Sequence, residues 1–393
     1  MTEDRGLTDA LHRRADQLGT THPLSLEDVQ GRARGIRRRR TAVSGLAAAA
    51  VLAVAVPVGL SLDGTDEPGR TPAVASTGVK DGVLTTDVDV AGGEPGIPYL
   101  YDGEIHLPEG GTIPVEGDWT GFDTLGEGFV VSDGRRLAVL GADGQPVIEQ
   151  PTDGARFAVS ADRTLVAHVS DGGVQTLDGD GNGLTLPVPP EIRTPQLVAV
   201  QGSETCDPDS EGGGCVFFLN DGGPTPGGWS LTSKGIVNPL GTFLSLSDVS
   251  DTGQVAGMTS IDELEPSACH EVWNDAFGEG PAWESCEHRV IGFSPDGTQV
   301  SAGYSYADGA GDGSLAILDA ADGAVLAEWT NSEEHQAWAT SVGWDTDGTV
   351  LGMVTEGEDQ ALMRFSPDGG LSKVMDVEGD YSEATPLLLP QSS

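Results

Sequence analysis

Asp178-Gly-Asp180-Gly-Asn182-Gly183 places three oxygen-bearing side chains at alternate positions with glycines between them, the spacing of a calcium loop. A loop of that kind closes on a bidentate glutamate at its twelfth position, where this chain has Pro189. Two readings of Asp178, Asp180 and Asn182 therefore stand: a Ca2+ site, or an ordinary acidic hairpin turn. Asp308-Gly-Ala-Gly-Asp312-Gly is a weaker version of the same pattern. His270 and His288 flank Cys269 and Cys286 in a stretch that also holds Trp273 and Trp283. A bridge between those cysteines would bring both imidazoles together, either as the lining of a pocket or as part of a stapled surface insertion. Trp329, Trp338 and Trp344 lie close in sequence and suit either a stacking surface for sugars or peptides or packing in a core. No Gly-x-Ser-x-Gly, His-Glu-x-x-His or phosphate-binding glycine loop occurs. No catalytic residue and no organic cofactor is assigned.

The four cysteines, Cys206, Cys215, Cys269 and Cys286, all lie in the last half of the chain. An even number there fits an oxidising compartment, and the spacings suggest two local bridges, 206 to 215 and 269 to 286. Four cysteines allow three connectivities. Zinc is the competing use, but no pair has C-x-x-C spacing.

These residues sit among short runs of Val, Leu, Ile, Phe and Ala, punctuated from residue 81 onward by Asp-Gly and Pro-Asp-Gly, an all-β pattern. Segments opening at Gly128, Phe157, Leu246, Ile291 and Val342 share one template: apolar strand, tight turn capped by Ser or Asp, then a strand of small residues. Asp251 to Asp296 spans 45 residues and Asp296 to Asp347 spans 51. A period of that size predicts four-stranded propeller blades, about seven of them over residues 81–393, with six to eight allowed. Blade breaks are expected near residues 118, 152, 195, 241, 290 and 340. The ring is expected to close by Thr385-Pro-Leu-Leu-Leu pairing beside Gly82-Val-Leu-Thr-Thr.

At Phe293-Ser-Pro-Asp-Gly and Phe365-Ser-Pro-Asp-Gly the chain resembles the WD-repeat-like propellers of bacterial envelopes, the TolB-like family, whose repeats carry this turn between inner strands. Other units drift to Ser-Ala-Asp-Arg, Ser-Asp-Thr-Gly and Asp-Thr-Asp-Gly, and the terminal Trp-Asp of eukaryotic WD repeats is absent. The resemblance covers the β-rich part and implies a propeller with a protein-binding tendency. It carries over no catalytic residue.

Ahead of the strands, Thr41 to Leu62 is an apolar run of 22 residues without a charge, directly behind Arg37-Arg38-Arg39-Arg40. At 1.5 Å per residue it covers a bilayer core of roughly 30 Å, and the arginines hold its N-terminal side in the cytoplasm. This predicts an uncleaved single-pass anchor in the cell membrane rather than a signal peptide. The chain then divides into a cytosolic arm at 1–40, a transmembrane helix at 41–62, a flexible tether at 63–80 and an extracytoplasmic propeller at 81–393. Within the arm, Leu7, Ala10, Leu11, Arg14 and Leu18 follow helical spacing, and Ser25-Leu-Glu-Asp28 resembles a capping box opening a second helix. A small inner arm with a large outer domain is similar to membrane regulators of actinobacteria, including anti-sigma-type proteins.

Charge divides at the same boundary. The formal net charge of the whole chain is −42, while residues 1–40 hold nine Arg and six Asp or Glu. The outer part is thus strongly acidic, which argues against nucleic acid and anionic headgroups as partners and for basic or cationic ones. The resulting expectation is a membrane-anchored, non-enzymatic binding or scaffold module with a protein or cell-envelope ligand. Two alternatives accompany it: a transmembrane sensor whose arm, residues 1–40, binds a transcription factor, and a propeller-fold hydrolase or lyase of the cell wall.

Overall fold

The computed structural model describes residues 79–393 apart from 155, 172, 203–205, 207–213, 224–225, 263–266, 279, 307–311, 380–386 and 391–393. The expected arm and span, and all but the end of the tether, lie outside the described residues. Among the described residues no helix is long and apolar enough to cross a membrane.

Each of the template's hairpins is extended into a four-stranded antiparallel sheet. After β1 (Lys80–Val83), blade 1 takes β2 (Tyr99–Tyr101), β3 (Glu104–His106) and β4 (Thr112–Pro114). Blade 2 is β5 (Gly121–Leu125), β6 (Gly128–Ser132), β7 (Arg136–Leu140) and β8 (Pro146–Pro151), and blade 3 is β9 (Phe157–Val159), β10 (Leu165–Ser170), β11 (Gly173–Asp178) and β12 (Thr185–Pro187). Blade 4 follows with β13 (Pro195–Gln201), β14 (Val216–Asp221), β15 (Gly227–Thr232) and β16 (Val237–Pro239), and blade 5 with β17 (Ser245–Val249), β18 (Val255–Asp262), β19 (Ser267–Trp273) and β20 (Trp283–Ser285). Blade 6 is β21 (His288–Phe293), β22 (Gln299–Tyr304), β23 (Ser314–Asp319) and β24 (Val325–Thr330), and blade 7 is β25 (Ala337–Trp344), β26 (Val350–Glu356), β27 (Asp359–Phe365) and β28 (Leu371–Asp376). Within each blade the strands pair in chain order. The count is seven; the expected breaks near 118, 152 and 241 fall in the connections between these sheets and that near 195 at the start of β13, whereas 290 and 340 fall inside β21 and β25, the blades beginning a few residues earlier there.

Closure differs from the expectation in its partner. The C-terminal β29 (Leu387–Leu388) pairs antiparallel with β2, Leu388 opposite Leu100 and Leu387 opposite Tyr101. It thereby supplies blade 1 with its first strand. Gly82 and Val83 belong instead to β1, which runs parallel to β24 as a fifth strand of blade 6, Gly82 opposite Trp329. The reason is packing: a Cβ at Gly82 would stand 2.3 Å from Trp329 Cδ1, so only a glycine lets the strand lie against that indole.

The burial pattern explains why a ring forms. Seven clusters of buried apolar residues each join two successive blades, and the last joins blade 7 to blade 1 through Leu351, Met353, Leu362, Tyr99, Leu387 and Leu389. Each sheet is apolar on both faces, so it has to be covered on both. Trp329 and Trp344 are spent on this packing, in the cluster between blades 6 and 7, where Trp329 meets Phe365 edge-on at 5.0 Å.

The repeated turn has a common chemistry. In blade 6, Ser294 Oγ donates to Asp296 Oδ1 at 2.7 Å and accepts the Gln299 N–H at 2.9 Å, while Asp296 Oδ1 also accepts the N–H and hydroxyl of Thr298. Blade 3 repeats this with Ser160, Asp162, Thr164 and Leu165. Four of the five template segments form the hairpin between the first and second strands of a blade. The Gly128 segment turns instead between β6 and β7, and Phe365-Ser-Pro-Asp-Gly turns between β27 and β28. The motif specifies a tight turn, and any pair of adjacent strands in a blade can use one.

Candidate functional site

The first strands line the axis, and two openings show it. One, of about 200 Å³, is bounded among others by Thr124, Arg163, Asp251, Phe293, Trp344 and Pro390, from blades on every side of the ring. It lies at the ends of the first strands. The other is a larger cleft of about 570 Å³ at their beginnings, with Ser245, Leu246 and Ser247 from β17 and Arg289, Val290 and Ile291 from β21. Arg156 reaches it from the connection into β9, and Met258, His270 and Tyr306 complete much of its wall.

Buried carboxylates around the smaller opening join one blade to the next. Asp123 on β5 is fully buried and accepts from Arg163 Nη1 of blade 3 and from the Thr124 N–H. Burial pushes its carboxyl up to about 6, against the opposing pull of Arg163. Arg163 holds φ at +58°, in the turn position that Gly297 and Gly348 occupy in blades 6 and 7 at +69° and +78°. A non-glycine residue there is unfavourable, and here it carries the guanidinium to Asp123. Asp248 on β17 accepts the Phe293 N–H of blade 6 at 2.7 Å, and burial pushes its carboxyl up to about 7. Asp345 accepts from Arg364 Nη2 at 2.7 Å and from the Gly96 N–H at 2.8 Å, tying blade 7 to the entry into blade 1.

The larger cleft has a different character. Its described lining contains two guanidiniums, the hydroxyls of Ser245, Ser247, Ser305 and Tyr306, and the apolar side chains of Leu246, Met258, Ile261, Val290 and Ile291, with no carboxylate. Arg156 is exposed and makes no ion pair among the described residues. Arg289 pairs through Nη2 with Asp312, leaving its buried Nε without a partner. His270, 4 % exposed, lies 3.2 Å through Nε2 from the Ser305 carbonyl. A carbonyl only accepts, so Nε2 carries the proton and Nδ1, buried and unpartnered, is a free acceptor. Burial, aided by Arg289, lowers this imidazole to about 4, so it is neutral at pH 7.

Of the four residues singled out around the second cysteine pair, only His270 lines the cleft. His288 Nε2 faces Glu328 at 3.4 Å. Trp273 turns toward blade 4, packing on Phe243 and donating to Glu271, and Trp283 donates to the Ala320 carbonyl of blade 6. Alternation along β19 separates them: Ala268, His270 and Val272 face blade 6, and Trp273 faces the other way. Both disulfides form with the local connectivity, Cys206–Cys215 and Cys269–Cys286. Asp178, Asp180 and Asn182 share the turn between β11 and β12, where Asp178 Oδ1 accepts the N–H groups of Asp180 and Asn182 at 2.9 and 2.8 Å and the Asn182 side-chain amide also donates to this carboxylate. Among the described residues the His, Cys, Asp and Glu side chains close enough together to share a metal are Glu284 with Cys269 and Cys286, and the two sulfurs are joined to each other.

The arginines of the cleft form no motif in the chain because each comes from a different blade. A signal for them does exist. Arg156 lies four residues before Ser160, and Ser245 and Arg289 lie five before Ser250 and Ser294, the extra residue being the bulge in β17 and β21. Aligning the blades on their turn serines therefore superposes all three.

No family model matches the chain, and no curated protein matches it. Solved structures similar to it are propellers and proteins of other descriptions. The β-propeller domain of Cps50 (Swd1) from Myceliophteria thermophila is 8 % identical with a TM-score of 0.46, covering 67 % of this chain and 88 % of that one. A putative TolB from Agrobacterium tumefaciens is 13 % identical with a TM-score of 0.39, covering 66 % and 90 %. A functionally unknown protein from Desulfotomaculum acetoxidans DSM 771 is 11 % identical with a TM-score of 0.45, covering 75 % and 99 %. The seven-bladed assignment rests on the chain's own sheet topology.

Proposed function

We propose that the protein is a membrane-anchored, extracytoplasmic propeller that acts by binding, with the cleft between blades 5 and 6 as its working site. The observation that carries this reading is the composition of the cleft: two guanidiniums, hydroxyls and apolar surface, within the size range of ligand sites. The two disulfides support an oxidising compartment, and the apolar run at 41–62 behind four arginines supports a single span with the N-terminus inside. The carboxylates with raised pKa at Asp123 and Asp248 hold neighbouring blades together, which favours a binding role over acid–base chemistry at the axis.

The test is affinity capture of the full-length protein from native membranes, beside a version lacking residues 1–35 and an Arg156→Gln version. Envelope proteins recovered with the first two and reduced with the third support the reading. A cytosolic regulator recovered only with the intact arm would replace it with the sensor reading.

A further inference from the structure

The geometry points to a ligand class for the cleft: we infer that it takes the free C-terminus of a polypeptide, with the α-carboxylate at Arg156 and Arg289 and apolar side chains on Leu246, Met258, Ile261 and Val290. The inference rests on the binding reading above. Residues 79–393 contain ten Lys and Arg against 53 Asp and Glu. Two of those ten line one cleft, and Arg156 stays exposed and unpaired in a domain with an abundance of its own carboxylates. A guanidinium kept open in such surroundings is available to an anion from outside, and its fork matches a carboxylate.

Two further groups define what must accompany the anion. Arg289 Nε is an unpartnered donor and His270 Nδ1 an unpartnered acceptor, both buried in residues of the cleft wall. A peptide unit offers the complementary C=O and N–H, and buried polar groups left without partners are costly unless a ligand or water meets them. The apolar share of the lining disfavours a small hydrated anion such as phosphate, which would lose water there without compensation. A volume of about 570 Å³ accommodates a few residues. Ile261, 44 % exposed, carries the apolar lining out to the surface, where a longer chain would continue.

The experiment is equilibrium dialysis of the full-length protein in detergent against a pool of N-acetylated tripeptides built from Leu, Ile, Val and Phe, in free-acid and C-terminal amide forms, quantified by mass spectrometry. Free acids should be retained at least tenfold over the amides. Arg156→Gln should cut that retention at least fivefold, Arg289→Gln should cut it as well, and Arg135→Gln, at an exposed site in blade 2, should leave it unchanged. Arg156 is exposed, so its variant is expected to melt with the wild type, which separates lost binding from lost folding. Equal retention of acids and amides, retention no greater than in a protein-free chamber, retention unaltered by Arg156→Gln, or displacement by 10 mM inorganic phosphate as complete as by excess free acids would each overturn the inference. Envelope partners captured equally by wild type and Arg156→Gln would sink it while leaving a binding role elsewhere on the propeller intact.

Discussion

Asp248 shows how a single buried group sets the response to pH. Its folded pKa of about 7 lies above that of an unfolded aspartate, so the stability it contributes is complete below about pH 4 and is lost as pH rises through about 7. His168 and His270 act in the opposite sense, since burial lowers both: the unfolded chain takes up protons below about pH 6.5, the fold does not, and stability falls on acidification through that range. The contributions are separable by substitution. Asp248→Asn should shrink the loss of stability between pH 5 and pH 8 by about 3 kcal/mol relative to wild type, read from urea unfolding at the two pH values. Arg163→Gly relieves a positive φ but strips Asp123 of its counter-charge, and with Arg163 partly exposed the cost should be about 2 kcal/mol at pH 8. At pH 5, where Asp123 is protonated in the fold, the cost should be smaller. Equal losses at both pH values would show that the ion pair contributes little.

At the scale of elements, the strap that begins with β1 depends on Gly82, and it is fastened further on by Glu356, whose Oε2 accepts from Thr85 Oγ1 at 2.7 Å and the Thr86 N–H at 2.8 Å. Gly82→Ala should release β1 and cost on the order of 1–3 kcal/mol through the clash with Trp329. Faster amide exchange confined to Ala327–Thr330 is the expected signature, and unchanged exchange there would mean that the indole moves aside. Removing Cys269 and Cys286 together should cost about 3 kcal/mol, measured in the melting temperature. The blades themselves were legible in the chain because variants of one turn follow the first strands of blades 5, 6 and 7 at intervals of 45 and 51 residues, Asp251 to Asp296 to Asp347, and each turn is made by residues a few positions apart. The disulfides were legible for the same reason. β1 was not, since its partner lies 247 residues away, Gly82 opposite Trp329, and parallel pairing has no local signature. At the site only His270 stood out by its neighbours in the chain; Arg156 and Arg289 line one cleft from different blades, and only their shared spacing from the turn serines Ser160 and Ser294 links them in the sequence.

For the whole molecule, stability is divided among seven interfaces, none of which is a common centre. Each blade leans on two neighbours, so the loss of one strand affects two interfaces at once. Deleting residues 386–393 removes Leu388 from the cluster between blades 1 and 2, and Leu387 and Leu389 from that between blades 7 and 1. Burial of three leucines corresponds to about 6 kcal/mol, so the truncated protein should melt far below the intact one, with the first protection lost in blade 1. An unchanged melting temperature would show that the ring holds without its closing strand.

That closing strand also sets a clock for biosynthesis. Leu100 and Leu388 are 288 positions apart in the chain, and ribosomes add roughly 5–20 residues per second. Blade 1 therefore waits on the order of 15–60 s after its first residues are made before its missing strand exists. During that interval β2 presents an open edge able to pair with other chains. A propeller closed by so late a strand is one whose earliest-made blade is the last of the seven to be completed, and that blade needs shelter until the strand is made.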